Sequence, residues 1–73
     1  MAENFRSIPF IELTDNETGE KRTIDAGRVK QITLSKGGFV TVYWSMESFI
    51  VRESYETVLE LCIRAGLQII RKD

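Results

Sequence analysis

The sequence contains no histidine and a single cysteine, Cys62, which limits the chemistry that its side chains can perform. Histidine is the side chain whose unperturbed pKa lies near neutrality, and without it Ser–His and Cys–His nucleophile pairs are excluded. One cysteine cannot form an internal disulfide, and zinc sites are built mainly from cysteine and histidine. We therefore predict no catalytic residue, no metal site and no cofactor, and we expect neither an enzyme nor a small-molecule substrate.

Carboxylate pairs are the remaining candidates for acid–base chemistry. The pairs are Glu53 with Glu56, Asp15 with Glu17, and Glu12 with Glu20. A general acid needs a carboxyl group whose pKa is raised by desolvation. Glu53 and Glu56 instead flank the start of a predicted helix, where the helix dipole favours the charged form. We interpret them as helix-end charges.

Two further features have structural interpretations. Cys62 lies beside Leu61 on an apolar stripe, where a buried cysteine behaves as a small hydrophobic residue. The pair Gly37-Gly38 lacks the Gly-Lys-Ser/Thr ending of a phosphate-binding loop. It lies between two predicted strands, which indicates a tight hairpin turn.

Aromatic and basic residues around positions 28–44 form the main candidate for ligand binding. Exposed rings on a sheet can stack on bases while basic side chains contact phosphates. The nucleic-acid contacts would be Arg28, Lys30, Lys36, Phe39 and Tyr43. Alternatively, the rings pack in the core or against another protein. Ten basic and eleven acidic residues give a formal charge of -1, which favours the second interpretation, and nucleic acid is not the expected partner.

The strand–helix junction at residues 48–66 organises the predicted fold. Phe49 and Val51 alternate with Ser48, Ile50 and Arg52, as in a strand. Ser54 is a suitable N-cap, and Gly66 a suitable C-terminal stop. Apolar residues at helical spacing lie between them, namely Val58, Leu59, Leu61, Cys62, Ile63 and Ala65. Leu61, in the middle of this stripe, is expected to face the sheet.

The remaining chain predicts short strands joined by turns. The five strands span about residues 5–14, 21–25, 29–35, 39–45 and 48–52, and residues 46–47 are the predicted last turn. Residues 25–28 fit either a turn or a single helical turn capped by Asp25. The strand at 39–45 is rich in β-branched and aromatic residues, as expected of a central strand. Residues 67–73 are either a further strand or a tail.

The predicted fold is α+β, a five-stranded and mostly antiparallel meander (a curled sheet or half-barrel) followed by one C-terminal helix. The 73 residues allow a single domain, in which residues 1–4 and about 68–73 are possible loose ends. The N-terminus lacks a signal peptide, and no apolar run approaches the ~20 residues that span a bilayer. We expect a cytoplasmic protein without membrane insertion.

One helix covers only one face of such a sheet. If Val40, Val42 and Trp44 face the helix, the alternating positions face away from it. A bare apolar patch of that kind is unusual on a soluble monomer. We therefore predict an interface with a second copy or with a larger protein. Its candidate residues are Phe39, Tyr43 and Ile50, with Tyr55 at the start of the helix.

A set of positions along the chain matches a known pattern. They are Leu13-Thr14, Gly19, Ile24, Asp25-Ala26, Val29 and Ile32, followed by Val51, Glu53, Ser54 and Val58 at the junction into the helix. Over roughly residues 10–63 the chain resembles small bacterial flagellar and swarming-motility proteins of the FlbD type. The resemblance implies the same fold and a motility accessory protein, and it implies no catalytic residues.

Overall fold

A computed structural model describes residues 9–70 of the chain. The elements are β1 (Phe10–Thr14), β2 (Lys21–Asp25), a 3₁₀ turn (Ala26–Arg28), β3 (Val29–Leu34), β4 (Val40–Trp44), β5 (Glu47–Val51) and α1 (Tyr55–Arg64). All strand pairs are antiparallel, so the predicted α+β class with one C-terminal helix is confirmed. The predictions for residues 1–8 and 71–73 lie outside the described residues.

The five strands form two sheets that do not close into a barrel. One sheet pairs β1 with β2, and the other has the order β3-β4-β5, which confirms β4 as a central strand. Within residues 9–70, one isolated β-bridge, between Asp15 and Val51, joins the two sheets. Beside it, the Arg52 N–H donates to the Thr14 carbonyl at 2.9 Å. The curled arrangement is therefore a two-stranded and a three-stranded sheet that are bridged between the end of β1 and β5.

The core lies between the inner faces of the two sheets and α1. Its buried members include Ile11, Leu13 and Ile24 from β1 and β2, Val40, Val42 and Val51 from β4 and β5, and Val58 and Cys62 from α1. Trp44 packs against this core, and its Nε1 donates to the Asp25 carbonyl at 3.0 Å. Val40, Val42 and Trp44 thus share the inner face, as predicted, and the indole links the ends of β4 and β2.

Both ends of α1 follow the sequence prediction. The Ser54 hydroxyl accepts the Thr57 N–H at 3.1 Å, which is an N-cap. Gly66 has a φ of 101°, and its N–H donates to the Ile63 carbonyl at 2.9 Å. The Leu67 N–H donates to the Cys62 carbonyl at 3.0 Å, which completes a Schellman motif.

The buried face of α1 is narrower than the predicted stripe. Val58, Leu59 and Cys62 are buried, whereas Ile63 is 52 % exposed. Leu61 packs against the core as expected, but it is only half-buried, so it lies at the edge of the buried face and not in its middle. At 3.6 residues per turn, Leu61 and Ile63 lie on opposite flanks of the stripe that centres on Val58 and Cys62.

The structure decides three predictions about turns and chain ends. Residues 26–28 form the helical turn, because the Asp25 carboxylate accepts the Gly27 N–H at 2.9 Å. Trp44 pairs with Glu47, so the β4–β5 loop is Ser45–Met46 and the prediction of a 46–47 turn is wrong by one residue. Residues 67–70 form no strand, although Leu67 and Ile69 pack against the core.

Candidate protein-interaction surfaces

The four predicted interface residues lie on two different surfaces. Tyr43 and Ile50 are on the outer face of the three-stranded sheet, turned away from the core. Phe39 precedes β4 in the β3–β4 turn, and its ring lies beside Gly37. It lines a groove together with Tyr55. Phe39 lies outside β4, which begins at Val40, so the alternation of side chains along that strand does not apply to Phe39.

Tyr43 and Ile50 are diagonal neighbours in the sheet. Tyr43 pairs with Ser48, and Ile50 pairs with Thr41; Thr33 of β3 continues the same row on the other side of Thr41. Tyr43 is 38 % exposed and Ile50 is 40 % exposed. We call Tyr43, Ile50, Thr33 and Thr41 the outer patch, a small apolar and hydroxyl-bearing surface.

The second surface is a groove of about 620 Å³ at the end of the β3–β4 hairpin. Val40 and Val51, both buried, contribute to its lining. The exposed side chains of Leu34 and Phe39, with exposed fractions of 54 % and 53 %, line it together with half-buried Tyr55. We call these five residues the hairpin groove. Gly38 also lines the groove, and the remaining lining residues are polar, namely Asn16, Arg52, Glu53, Ser54 and Glu56.

Glu53 holds the junction between β5 and α1 that borders the hairpin groove. Its carboxylate accepts the Thr14 N–H at 2.8 Å and the Thr14 hydroxyl at 2.7 Å. Burial alone would raise the pKa of Glu53, but these hydrogen bonds outweigh it and lower the pKa overall. The contact spans 39 positions of sequence. Sequence reasoning assigned Glu53 to the helix dipole and missed this long-range contact.

Asp15 organises the β1–β2 loop beside this junction. Its buried carboxylate accepts the N–H groups of Glu17 and Thr18, at 2.8 and 3.2 Å. It also accepts Arg22 Nε at 3.0 Å. The backbone hydrogen bonds, and then Arg22, lower the pKa of Asp15. The Arg22 guanidinium also lies 4.9 Å from the centre of the Phe49 ring, so Arg22 connects the loop carboxylate to β5.

Lowered pKa values are the opposite of what a general acid at neutral pH requires. Asp15 and Glu53 are both held ionised by structural hydrogen bonds. Burial raises the pKa of the Cys62 thiol, so a smaller fraction of it is present as the reactive thiolate. These three groups therefore act in the structure as two loop anchors and one core residue.

The basic residues of the nucleic-acid interpretation do not form one surface. Lys36 and Phe39 lie at the hairpin end of the β3–β4 pair, whereas Lys30 and Tyr43 line a shallow depression near its other end. Arg28 lies beside Asp25, with 3.9 Å between Nε and the carboxylate. The pattern divides its aromatic and basic members between two sites.

Within residues 9–70, no three histidine, cysteine or acidic side chains are arranged to hold a metal ion. The ten-residue α1 is too short to cross a membrane, and no other helix of the described chain is longer. No family model, curated protein or solved structure matches the chain.

Proposed function

We propose that this chain is a small non-enzymatic protein-interaction or assembly module. It self-associates, binds a larger protein, or does both. The observation that supports this proposal best is the hairpin groove, in which Leu34 and Phe39 are more than half exposed beside buried Val40 and Val51. The resemblance to FlbD-type proteins adds a cytoplasmic role as a bacterial motility accessory protein to the proposal.

The chemistry of the groove suits a protein ligand. Interfaces concentrate their binding energy in apolar and aromatic anchors near the centre, surrounded by polar groups that exclude water. Phe39 and Tyr55 are such aromatic groups, and Arg52 and Ser54 belong to the polar part of the lining. Thr14, Glu53 and the Ser54 cap fix the junction beside the groove, so binding costs little ordering of the backbone there.

Nucleic-acid binding is the competing function, and the geometry supports it less. A phosphate-binding surface needs basic groups along one track, whereas Lys36 lies at one end of the β3–β4 pair and Arg28 and Lys30 at the other. Titration with single-stranded DNA and RNA at low salt would detect it. Such binding must weaken steeply as salt rises.

The groove is tested with one variant and one matched control. Phe39→Ser removes an exposed ring from the groove, and Met46→Ser removes an exposed apolar side chain, 90 % accessible, from the β4–β5 turn. Light scattering of each protein measures self-association, and cross-linked capture from the source cells measures binding of a larger protein. We expect Phe39→Ser to lose one of the two signals and Met46→Ser to keep both. Equal behaviour of the two variants would contradict a role for the groove.

A further inference from the structure

The outer edge of β3 has backbone groups that lack partners among residues 9–70. The Ser35 N–H donates to the Phe39 carbonyl at 2.9 Å, so Ser35 faces β4. Because successive residues of an antiparallel strand alternate in direction, the N–H and C=O groups of Ile32 and Leu34 face away from β4. Among residues 9–70, no other element hydrogen bonds to these groups. They form a template for one more strand.

The other sheet edges are less suited to pairing. The outer edge of β2 carries Lys21, Arg22 and Asp25, and charged residues are a common protection of edge strands. β5 is already joined to β1 by the bridge at Val51. By contrast, residues 31–35 of β3 and its turn, QITLS, are uncharged. β3 is therefore the edge that is open to an extended chain.

The sequence of β3 is complementary to itself when the twofold axis lies at Thr33. A twofold axis at Thr33 places Ile32 opposite Leu34 of the other strand, so that both residues use their free backbone groups. Apolar side chains then face each other on the inner side, and the two threonines face each other on the outer side, a favourable cross-strand pair. An axis at Ile32 would instead need Lys30, where an irregularity interrupts the β3–β4 register.

We propose that β3 pairs antiparallel with β3 of a second copy, about a twofold axis at Thr33. The proposal rests on the self-association part of the proposed function and specifies its surface. The two three-stranded sheets become one six-stranded sheet, and the Leu34 side chain, 54 % exposed, gains the Ile32 side chain of the second copy as a neighbour. The contact is isologous and closed, as in most homodimers.

Thr33 provides a charge-pairing test. Its side chain is on the outer face, opposite Thr41, so a longer polar side chain at this position extends into solvent and leaves the core unchanged. In the dimer the two Thr33 residues form a non-hydrogen-bonded pair with Cα atoms about 4.5 Å apart. Thr33→Lys or Thr33→Glu alone would place like charges opposite each other and disfavour the dimer.

The measurement is sedimentation equilibrium over a range of protein concentrations. The parent chain is expected to rise from 8.4 kDa toward twice that mass. Each Thr33 variant alone is expected to stay at the monomer mass, and an equimolar mixture of Thr33→Lys and Thr33→Glu is expected to regain the dimer. Thermal melting of each variant verifies that it is folded. A second pair, Leu34→Pro and Leu34→Ala, tests the edge independently, because only proline removes the outward N–H.

Each outcome distinguishes the two proposals. A parent dimer that both Thr33 variants retain would overturn pairing through β3 but leave self-association through another surface. A parent that stays monomeric at all concentrations would overturn the β3 dimer and leave the proposed function to the binding of a larger protein. Dissociation by each variant with recovery in the mixture would support the dimer with its axis at Thr33.

Discussion

Asp15 shows how one buried carboxylate links a loop to stability in acid. Its folded-state pKa is lowered by the Glu17 and Thr18 N–H groups and by Arg22. The unfolded chain therefore binds this proton more readily, and the contribution of Asp15 to folding is present above its unfolded pKa of about 3.9. It is lost as the pH falls through the lowered pKa of the folded state. Glu53, whose pKa is also lowered, acts in the same direction.

We predict that Asp15→Asn makes the free energy of unfolding less dependent on pH between about pH 2 and 5. The amide oxygen can still accept the loop N–H groups, but the charge pairing with Arg22 is lost. Urea unfolding at several pH values measures the slope, and Glu12→Gln, at an exposed position of the neighbouring strand β1, is the control. An unchanged slope in Asp15→Asn would show that another group carries the acid sensitivity.

Leu13 and Leu61 have the same side chain in different environments. Leu13 is fully buried, whereas Leu61 is half-buried on the flank of α1. We expect Leu13→Ala to lower the free energy of unfolding by about 2–5 kcal/mol, because it leaves a cavity in the centre of the core. Leu61→Ala should cost clearly less, since part of that side chain already contacts water. Denaturant melts of the two variants compare the costs directly, and equal losses would contradict the assignment of the buried face.

At the scale of elements, sequence patterns predicted the strands and the helix because those depend on neighbours along the chain. β2 has the predicted bounds, and the caps at Ser54 and Gly66 are confirmed. The division into two sheets was not predicted, because it depends on where β1 meets β5. The Glu53–Thr14 contact was missed for the same reason. No local pattern encodes a contact between residues so far apart in sequence.

The β4–β5 turn was misplaced because its sequence lacks the usual signal. Ser45 has a φ of 55°, a conformation that favours glycine or asparagine. The two-residue loop Ser45–Met46 contains neither, so nothing in the sequence marked where positive φ would occur. Ser45 keeps this strained conformation because the pairing of Trp44 with Glu47 and the hydrogen bond from the Ser45 N–H to the Arg28 carbonyl fix the turn.

We predict that Ser45→Gly stabilises the protein by up to about 1 kcal/mol. Glycine relieves the positive-φ strain, and its greater freedom in the unfolded chain offsets part of that gain. Gly38 has a φ of 90°, so Gly38→Ser is the reverse experiment and should destabilise. Thermal melting of both variants tests the pair. A lower melting temperature for Ser45→Gly would show that the serine contributes a contact that outweighs its strain.

At the scale of the whole molecule, the three-stranded sheet has three surfaces that the binding proposals use. The hairpin groove lies at one end of β3 and β4, the outer patch covers the face away from the core, and the free edge lies along β3. In the proposed dimer the two outer patches lie on the same side of a continuous six-stranded sheet. That face is then larger than on one chain, which suits the docking of a larger protein.

The last prediction concerns Tyr43, which lies one strand inward from the β3 edge. Tyr43→Glu should melt like the parent, because the side chain faces away from fully buried Val42, yet lose self-association or the binding of a larger protein. Met46→Glu, which adds the same charge to an exposed turn, is the control for both measurements.

If the dimer mass survives and only capture of a larger protein is lost, the β3 edge mediates self-association and the outer patch binds the partner. Unfolding of Tyr43→Glu would mean that the two faces are assigned the wrong way round. Unchanged assembly with weaker binding of single-stranded nucleic acid would favour the competing function.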